Sequence, residues 1–566
     1  MRALDLFTSA LDHERAGRWI VTGWVLLTLA ALLARPIGAD VAYHIETAGR
    51  LMDGARLYRD VAASIPPFIF YLNLAPAWLA HSTDLEPIPA FQAYLALLAL
   101  ASLWLTNRVL TATPALPRAL RRVLVILLAF HFFVFEPLAG TLAQYYVLIL
   151  FMPYLAVAYG VSTAGDVTAP DGPAPLWGER IAAVLLLILA LVQCPQYLPA
   201  VLAVEAAICW RRRRLASLFR LENALLIVLL ALAALMMEKH LDGLVSATLG
   251  AWWERYGSWE RNLYGLRLDL RLTQILACVA ALAVLLRVFP HPAAGRGFVA
   301  LAAAAALAMV ELDLRELTAY LHYGAPAAVL ANLALGAALA GAFCDLPAPR
   351  RAVSLSAASA VAASAAPERP AATARDTIAG RSGAAAAVLA VISLLGGTAW
   401  TYGYEPLAEH GRYSPWRRAL DSALSAHAAD APAFAFATEL DIAFPAIVVA
   451  GARYPYRHRD LARLGAFYGS TDPLEGPAAY RPPATQGTEE RALIQSVIEE
   501  LIATPPLVVA VDSRRLKPGF GVLPFDFIAY FSRDPRFAEL WKSYALLKRV
   551  GPIEIYRLVP ERAADR

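Results

Sequence analysis

The sequence predicts a polytopic membrane protein, mainly α, with about eleven transmembrane helices and a C-terminal soluble α/β domain. Three observations carry that prediction. Of 566 residues, 59% are apolar and 17% charged, with a mean hydropathy of +0.51, whereas water-soluble domains run at roughly 45–50% apolar and about 25% charged. The apolar residues are gathered in runs long enough to cross a bilayer as helices. Beyond residue 403 those runs stop, and the composition becomes that of a water-soluble domain. A soluble enzyme and a largely disordered chain are both excluded. The net charge of +4 is spread in short clusters between apolar runs, so no continuous patch for nucleic acid arises. Four cysteines at or near apolar runs imply no disulfide framework.

In chain order, residues 1–18 form a polar, cytoplasmic N-terminus carrying Arg2, Arg15 and Arg18. The apolar run 19–34 has no small-residue cleavage site after it and reads as an uncleaved first span. Further spans are expected near 89–106, 123–137, 145–161, 225–241, 272–288, 298–312, 325–343 and 384–401. Residues 177–210 would make a single helix of roughly 50 Å, and Cys194-Pro195-Gln196 interrupts it; two short helices with a tight turn are expected. Counting two helices there places the N-terminus, the Arg118/Arg121/Arg122 loop, the cluster Arg211 to Arg214 and the basic linker on one side, as the positive-inside rule requires. The expected layout is a transmembrane domain over 19–345 with an outer loop at 35–66. A flexible cytoplasmic linker over 346–383, rich in Ala, Ser, Pro and Arg, leads to a last span over 384–402. The outer α/β domain over 403–566 is expected to have strands at 433–438, 507–512 and 553–558. A helix at 489–502 should bury Leu493, Val497 and Leu501.

The outer loop at 35–66 holds the most informative residues. Asp40 stands a few residues past the first span, where a carboxylate meets water and the membrane surface and could act as a base on a lipid-linked substrate. The alternative is that Asp40 N-caps a helix over 41–53. His44 and Glu46 lie two apart and would not share a helical face. Glu136, at the outer end of the third span, is a second boundary carboxylate. With Asp40 it offers hard oxygen ligands suited to Mg²⁺ or Mn²⁺, and the need for any cofactor stays open. Arg315, Glu316, His322 and Tyr323 are expected in an outer turn over 312–324, where a guanidinium and an imidazole suit a phosphate; Arg315 could equally pair with Asp313 or Glu316. The segment 242–269, with Trp252, Trp253, Tyr256 and Trp259, reads as an interfacial helix or a sugar-stacking surface. Arg453, Arg457, His458 and Arg459, near Tyr454 and Tyr456, read as a glycan or phosphate contact or as a solvated basic loop.

A first membrane helix, then Asp40, then a loop helix ending in Gly54-Ala55-Arg56-Leu57-Tyr58-Arg59-Asp60, then Pro66-Pro67 with Phe68, Phe70 and Tyr71, resembles the GT-C superfamily of polytopic glycosyltransferases. The resemblance extends over the chain and lies nearest to GT-C-like proteins of Gram-negative bacteria. Where those have a helix start G-Q-R-E-H before an apolar run ending L-P-Y, this chain has Leu142-Ala143-Gln144-Tyr145-Tyr146 before Met152-Pro153-Tyr154. Where they have a K-P-H turn, it has Cys194-Pro195-Gln196. Its run Tyr320 to Pro326 is similar to their Y-H-x-x-P segment. The resemblance implies an enzyme of the bacterial inner membrane. It would transfer a sugar from a polyprenyl-phosphate donor to a glycan, lipid or protein acceptor on the periplasmic face, with inversion. Asp40 would be the base and Glu136 a second catalytic carboxylate. Tyr43, His44, Glu46, Tyr58, Asp60, Gln144, Tyr145, Gln196, Arg315, His322 and Tyr323 would contact substrate. The neutral residues at the two departures keep a second reading open, a non-catalytic relative that binds a lipid-linked glycan in envelope assembly or export.

Overall fold

The computed structural model describes residues 10–33, 37–62, 67–83, 85–113, 116–135, 142–163, 177–240, 279, 282, 295–316, 325–344, 415–468, 480–481, 485–517, 520 and 524–559. The protein is mostly helical with one small C-terminal sheet. Its helices include α1 (Glu14–Leu33), α2 (Ala39–Met52), α3 (Pro87–Thr111), α4 (Arg118–Phe130), α5 (Leu142–Thr163), α6 (Trp177–Gln193), α7 (Leu198–Arg212), α8 (Leu221–His240), α9 (Arg296–Glu316) and α10 (Ala325–Cys344). Among the described residues, α1, α3, α5 and α8 are long and apolar enough to cross a membrane. The expected spans at 272–288 and 384–402, and the linker over 346–383, lie outside the described residues.

The chain divides into two compact units. The first comprises Met1–Leu32, Ala96–Ala139 and Ala143–Gly403. In it α6 and α7 are separate helices bent by 120° about a short 3-10 turn, Pro195–Tyr197. Proline at 195 removes one backbone donor and is accepted where a helix is starting, so the break falls where the sequence places it. Helix α4 continues into a π turn, His131–Phe135. Polar contacts join the helices: the Trp24 indole of α1 donates to the Ile126 carbonyl of α4 at 3.0 Å, and the Ser102 hydroxyl of α3 donates to the Ile149 carbonyl of α5. Gly336 of α10 lies against Leu127 of α4, where an added Cβ would meet that side chain.

Glu205 of α7, buried at 6% exposure, gathers the neighbouring helices. It accepts from the Tyr154 hydroxyl at 2.7 Å and from the Asn223 amide at 3.0 Å, and it pairs with Arg220. Arg180 pairs with Glu222 alongside. A charge in this apolar surrounding persists only with such partners.

The second unit comprises Leu33–Leu95, Gly140–Leu142 and Tyr404–Arg566; the first outer loop therefore belongs to the same compact body as the C-terminal domain. Two helices, α11 (Pro415–His427) and α12 (Thr488–Ala503), accompany strands β1 (Ala433–Phe436), β2 (Val508–Asp512), β3 (Tyr544–Val550) and β4 (Ile553–Leu558). The sheet order is β1-β2-β4-β3, with β1 parallel to β2 and the other pairs antiparallel. Strands β1 and β2 are buried at every position, the mark of strands covered on both faces. Helix α12 buries Leu493, Val497, Ile498 and Leu501 on one face, as its spacing predicts. The sequence reading missed β3, an edge strand whose exposed Lys548 and Arg549 hide its period and protect its edge. The Gly551-Pro552 turn between β3 and β4, with Gly551 at φ +57°, was the available signal.

Candidate functional site

Helix α2 opens directly on Asp40. Its N-cap is Gly38, in extended conformation and with no side-chain cap. The expected helix over 41–53 starts at Ala39, and Asp40 lies inside its first turn, so it does not cap that helix. Its Oδ2 accepts instead from the backbone N–H of Leu142 at 3.0 Å. The same oxygen stands 3.5 Å from Nε2 of His44, one helical turn on. The two side chains differ in access: 19% of Asp40 is exposed and 1% of His44. The second carboxylate oxygen, Oδ1, takes no hydrogen bond among the described residues.

His44 is wedged behind the carboxylate, with its ring 5.1 Å from that of Phe70, and its Nδ1 is buried without a partner among the described residues. Phe70 comes from the short helix Phe68–Leu72, which Pro67 begins. The Pro-Pro-aromatic motif thus supplies the wall that fixes the imidazole. Tyr43 is buried between Phe70 and Phe444, with the Arg459 guanidinium 5.3 Å from its ring centre. Arg459 pairs with Asp460 at 3.1 Å and keeps 35% of its side chain exposed.

The charges reinforce one another. Burial pushes the Asp40 carboxyl up, but His44, the Leu142 N–H and Arg459 outweigh it and hold the group below its ordinary value. Burial pushes the Tyr43 phenol up to about 12. Arg459 is likewise held charged, because Asp460, Tyr43 and Asp40 outweigh its desolvation. An ionised, partly exposed carboxylate beside an aromatic-backed guanidinium can accept a proton and hold an anion within one small surface.

Glu46 faces away from His44, as the two-residue spacing predicts. Burial drives its carboxyl up to about 8, against the pull of Arg50 and the Tyr454 N–H. Arg50 donates to the carbonyls of Tyr456 at 2.8 Å, Pro455 at 3.1 Å and Asp60 at 2.8 Å. Asp60 accepts from the Arg56 N–H at 2.8 Å, closing its own loop, and Tyr58 sits there at φ +66°. The Tyr58 carbonyl accepts from Arg457 at 3.3 Å, and the Arg457 carbonyl accepts from the Ala62 N–H at 2.8 Å. The motif 54–60 is therefore a built turn joined to the segment 455–457. Arg50 and Arg457 hold this assembly together, while Glu46 faces Arg50 and the Asp60 side chain closes its own loop.

Gln144, Tyr145 and Gln196 belong to the other unit. Gln144 is buried, the Tyr145 hydroxyl donates to the Phe132 carbonyl at 2.9 Å, and Gln196 is half-buried in the turn between α6 and α7. Glu136, His322 and Tyr323, and the aromatic segment 242–269, lie outside the described residues. The backbone of Arg315 is in the last turn of α9, so the helix runs four residues further than expected. Among the described residues no three His, Cys, Asp or Glu side chains cluster as a metal set. The basic cluster at 453–459 is not a freely solvated loop: Arg453 donates to the Asp430 carbonyl and Arg459 covers Tyr43. Its proximity to Tyr454 and Tyr456 was visible in the sequence; its place over α2 was not.

No family model, curated protein or solved structure matches this chain.

Proposed function

We propose that the protein is a membrane glycosyltransferase of GT-C type that moves a sugar from a polyprenyl-phosphate donor to an acceptor hydroxyl at the periplasmic face of the inner membrane. In this reading about eleven spans carry the chain, with the N-terminus cytoplasmic and the C-terminal domain periplasmic. The observation that carries the proposal is the Asp40 carboxylate: ionised, partly exposed, oriented by a buried histidine, with its contacts among the described residues all on one oxygen, on the helix that follows the first apolar helix.

The acceptor oxygen attacks the anomeric carbon in line with the departing phosphate, so the configuration inverts. As the new C–O bond forms, the hydroxyl becomes acidic and its proton passes to Oδ1 of Asp40. A carboxylate with a depressed pKa serves such a late transfer, since the oxygen is already partly bonded to carbon. The bond between the anomeric carbon and the phosphate oxygen breaks, and its electron pair leaves with the polyprenyl phosphate. Arg459 offsets the charge growing there. His44 positions Asp40 and does not touch substrate.

A second reading, a non-catalytic protein that binds a lipid-linked glycan, is favoured by the neutral, buried Gln144 and Tyr145 where the resembling proteins carry charge. Native mass spectrometry of gently extracted protein, wild type beside Asp40→Asn, separates the two. A polyprenyl-phosphate sugar that accumulates in the variant supports transfer. Equal carrier in both forms supports binding without turnover, and no carrier in either overturns both.

A further inference from the structure

A different chemistry gathers at the other end of α1. Two adjoining cavities, of about 310 and 350 Å³, share Arg18, Arg121 and Arg122 as walls. The first also touches Glu14, Thr111 and Arg118, and the second runs on past Thr22, Asn107 and the apolar Val21 and Val125. All of these residues belong to one compact unit, on α1, α3 and α4. Helix α1 starts five residues before its apolar run, which brings Arg18 onto the helix opposite the α4 arginines.

The four arginines are not equally committed. Arg122 is buried and donates to the carbonyls of Leu11, His13 at 3.0 Å and Glu14 at 3.2 Å. Gly17 permits this, since a Cβ there would stand 2.7 Å from the Arg122 Cζ. Arg18 pairs with Glu14 at 2.5 Å. Arg118 and Arg121 have no acceptor among the described residues, and Arg121 is half-buried. Burial and the adjacent Arg122 and Arg118 lower the Arg121 guanidinium from its ordinary value, and among the described residues the cleft sets four arginines against the single carboxylate of Glu14.

We infer that this cleft binds the phosphate of an anionic phospholipid headgroup, with Arg118 and Arg121 as its ligands and the Val21/Val125 side receiving the start of the acyl chains. The surroundings fit a lipid better than a soluble anion. Trp19, next to Arg18, is exposed at 75%, and an exposed tryptophan beside a basic residue suits the headgroup layer. Below it α1 exposes Leu26 and Leu27, and α3 exposes Trp104 and Leu97; apolar faces of this kind face acyl chains. Basic pockets between membrane helices are sites of this class. The inference rests on α1 and α3 spanning a membrane and is independent of any transferase activity.

The test is native mass spectrometry of the full-length protein in detergent containing equal amounts of phosphatidylglycerol and phosphatidylcholine. The wild type should retain phosphatidylglycerol selectively. Arg118→Gln/Arg121→Gln should lower the ratio of bound to free protein by roughly tenfold or more, while the charge-matched control Arg213→Gln/Arg214→Gln keeps it. If the double variant does not fold, Arg118→Gln alone, at an exposed position, reads the same ratio. Equal retention of the two lipids overturns the site, as does an equal loss in the control, which would mean diffuse surface charge. Displacement of phosphatidylglycerol by the same concentration of inorganic phosphate overturns the lipid in favour of a soluble anion.

Discussion

Glu205 in the helical unit and Asp40 in the loop-and-sheet unit are both carboxylates in sheltered positions, and they are used in opposite ways. Glu205 has a tyrosine, an arginine and an asparagine on its two oxygens. Among the described residues Asp40 has its contacts on one oxygen, and its side chain is 19% exposed. A saturated carboxylate holds helices together, because any loss leaves an unpaired charge in apolar surroundings. A half-saturated one retains capacity for a proton or a ligand. The same residue class thus separates into a structural and a chemical role by how many lone pairs the fold consumes.

Removing the saturated partner should produce the largest effect. Glu205→Ala leaves Arg220 buried without its counter-ion, at a cost of about 3–5 kcal/mol; the yield of monodisperse protein and its melting temperature in detergent should both collapse. An unchanged melting temperature would erase the contrast. Asp40→Asn should behave the other way, keeping the melting temperature near wild type while turnover of a polyprenyl-phosphate sugar falls about 10²–10⁴-fold. A variant that unfolds would return Asp40 to a structural role.

A third measurement sharpens the contrast inside α2. Glu46 binds a proton more tightly folded, at about 8, than unfolded, near 4.5. Between those values the folded state holds more protons, so stability falls as pH rises; the contribution is full below about 4.5 and is lost through about 8. Glu46→Gln should flatten that part of the profile, raising the melting temperature at pH 9 relative to pH 5 when compared with wild type. The smallest effect is expected from Asp60→Ala, which removes one exposed hydrogen bond to the Arg56 N–H and should cost about 1 kcal/mol. Thermal unfolding read by a probe in the second unit measures it, and a shift as large as that of Glu205→Ala would show that the 54–60 turn carries more than its own closure.

The sequence was most informative where one dimension suffices. The α6 and α7 break follows from Pro195, and the α12 face from its 3.6-residue spacing. Strands β1, β2 and β4 are legible from continuous or alternating apolar runs. The edge strand β3 escaped because four of its seven residues face water, two of them charged. Asp40 was legible as a boundary carboxylate, whereas its contact with His44 came only from the structure and Arg459 could be seen only as one member of a basic cluster.

What the sequence alone determined is the inventory: apolar helices whose length matches a bilayer, a soluble α/β domain at the end of the chain, and Asp40 as the first carboxylate beyond the first apolar run. Those are properties of composition and local period, which need no knowledge of what lies across space. The tertiary structure alone decided which groups share an electrostatic environment. It brought Arg459 over Tyr43, set Leu142 against Asp40, buried His44 on Phe70, and joined the loop to the C-terminal domain through Arg50. The reason is physical: burial and charge pairing depend on distances between residues far apart in the chain, and only the packed fold fixes those distances.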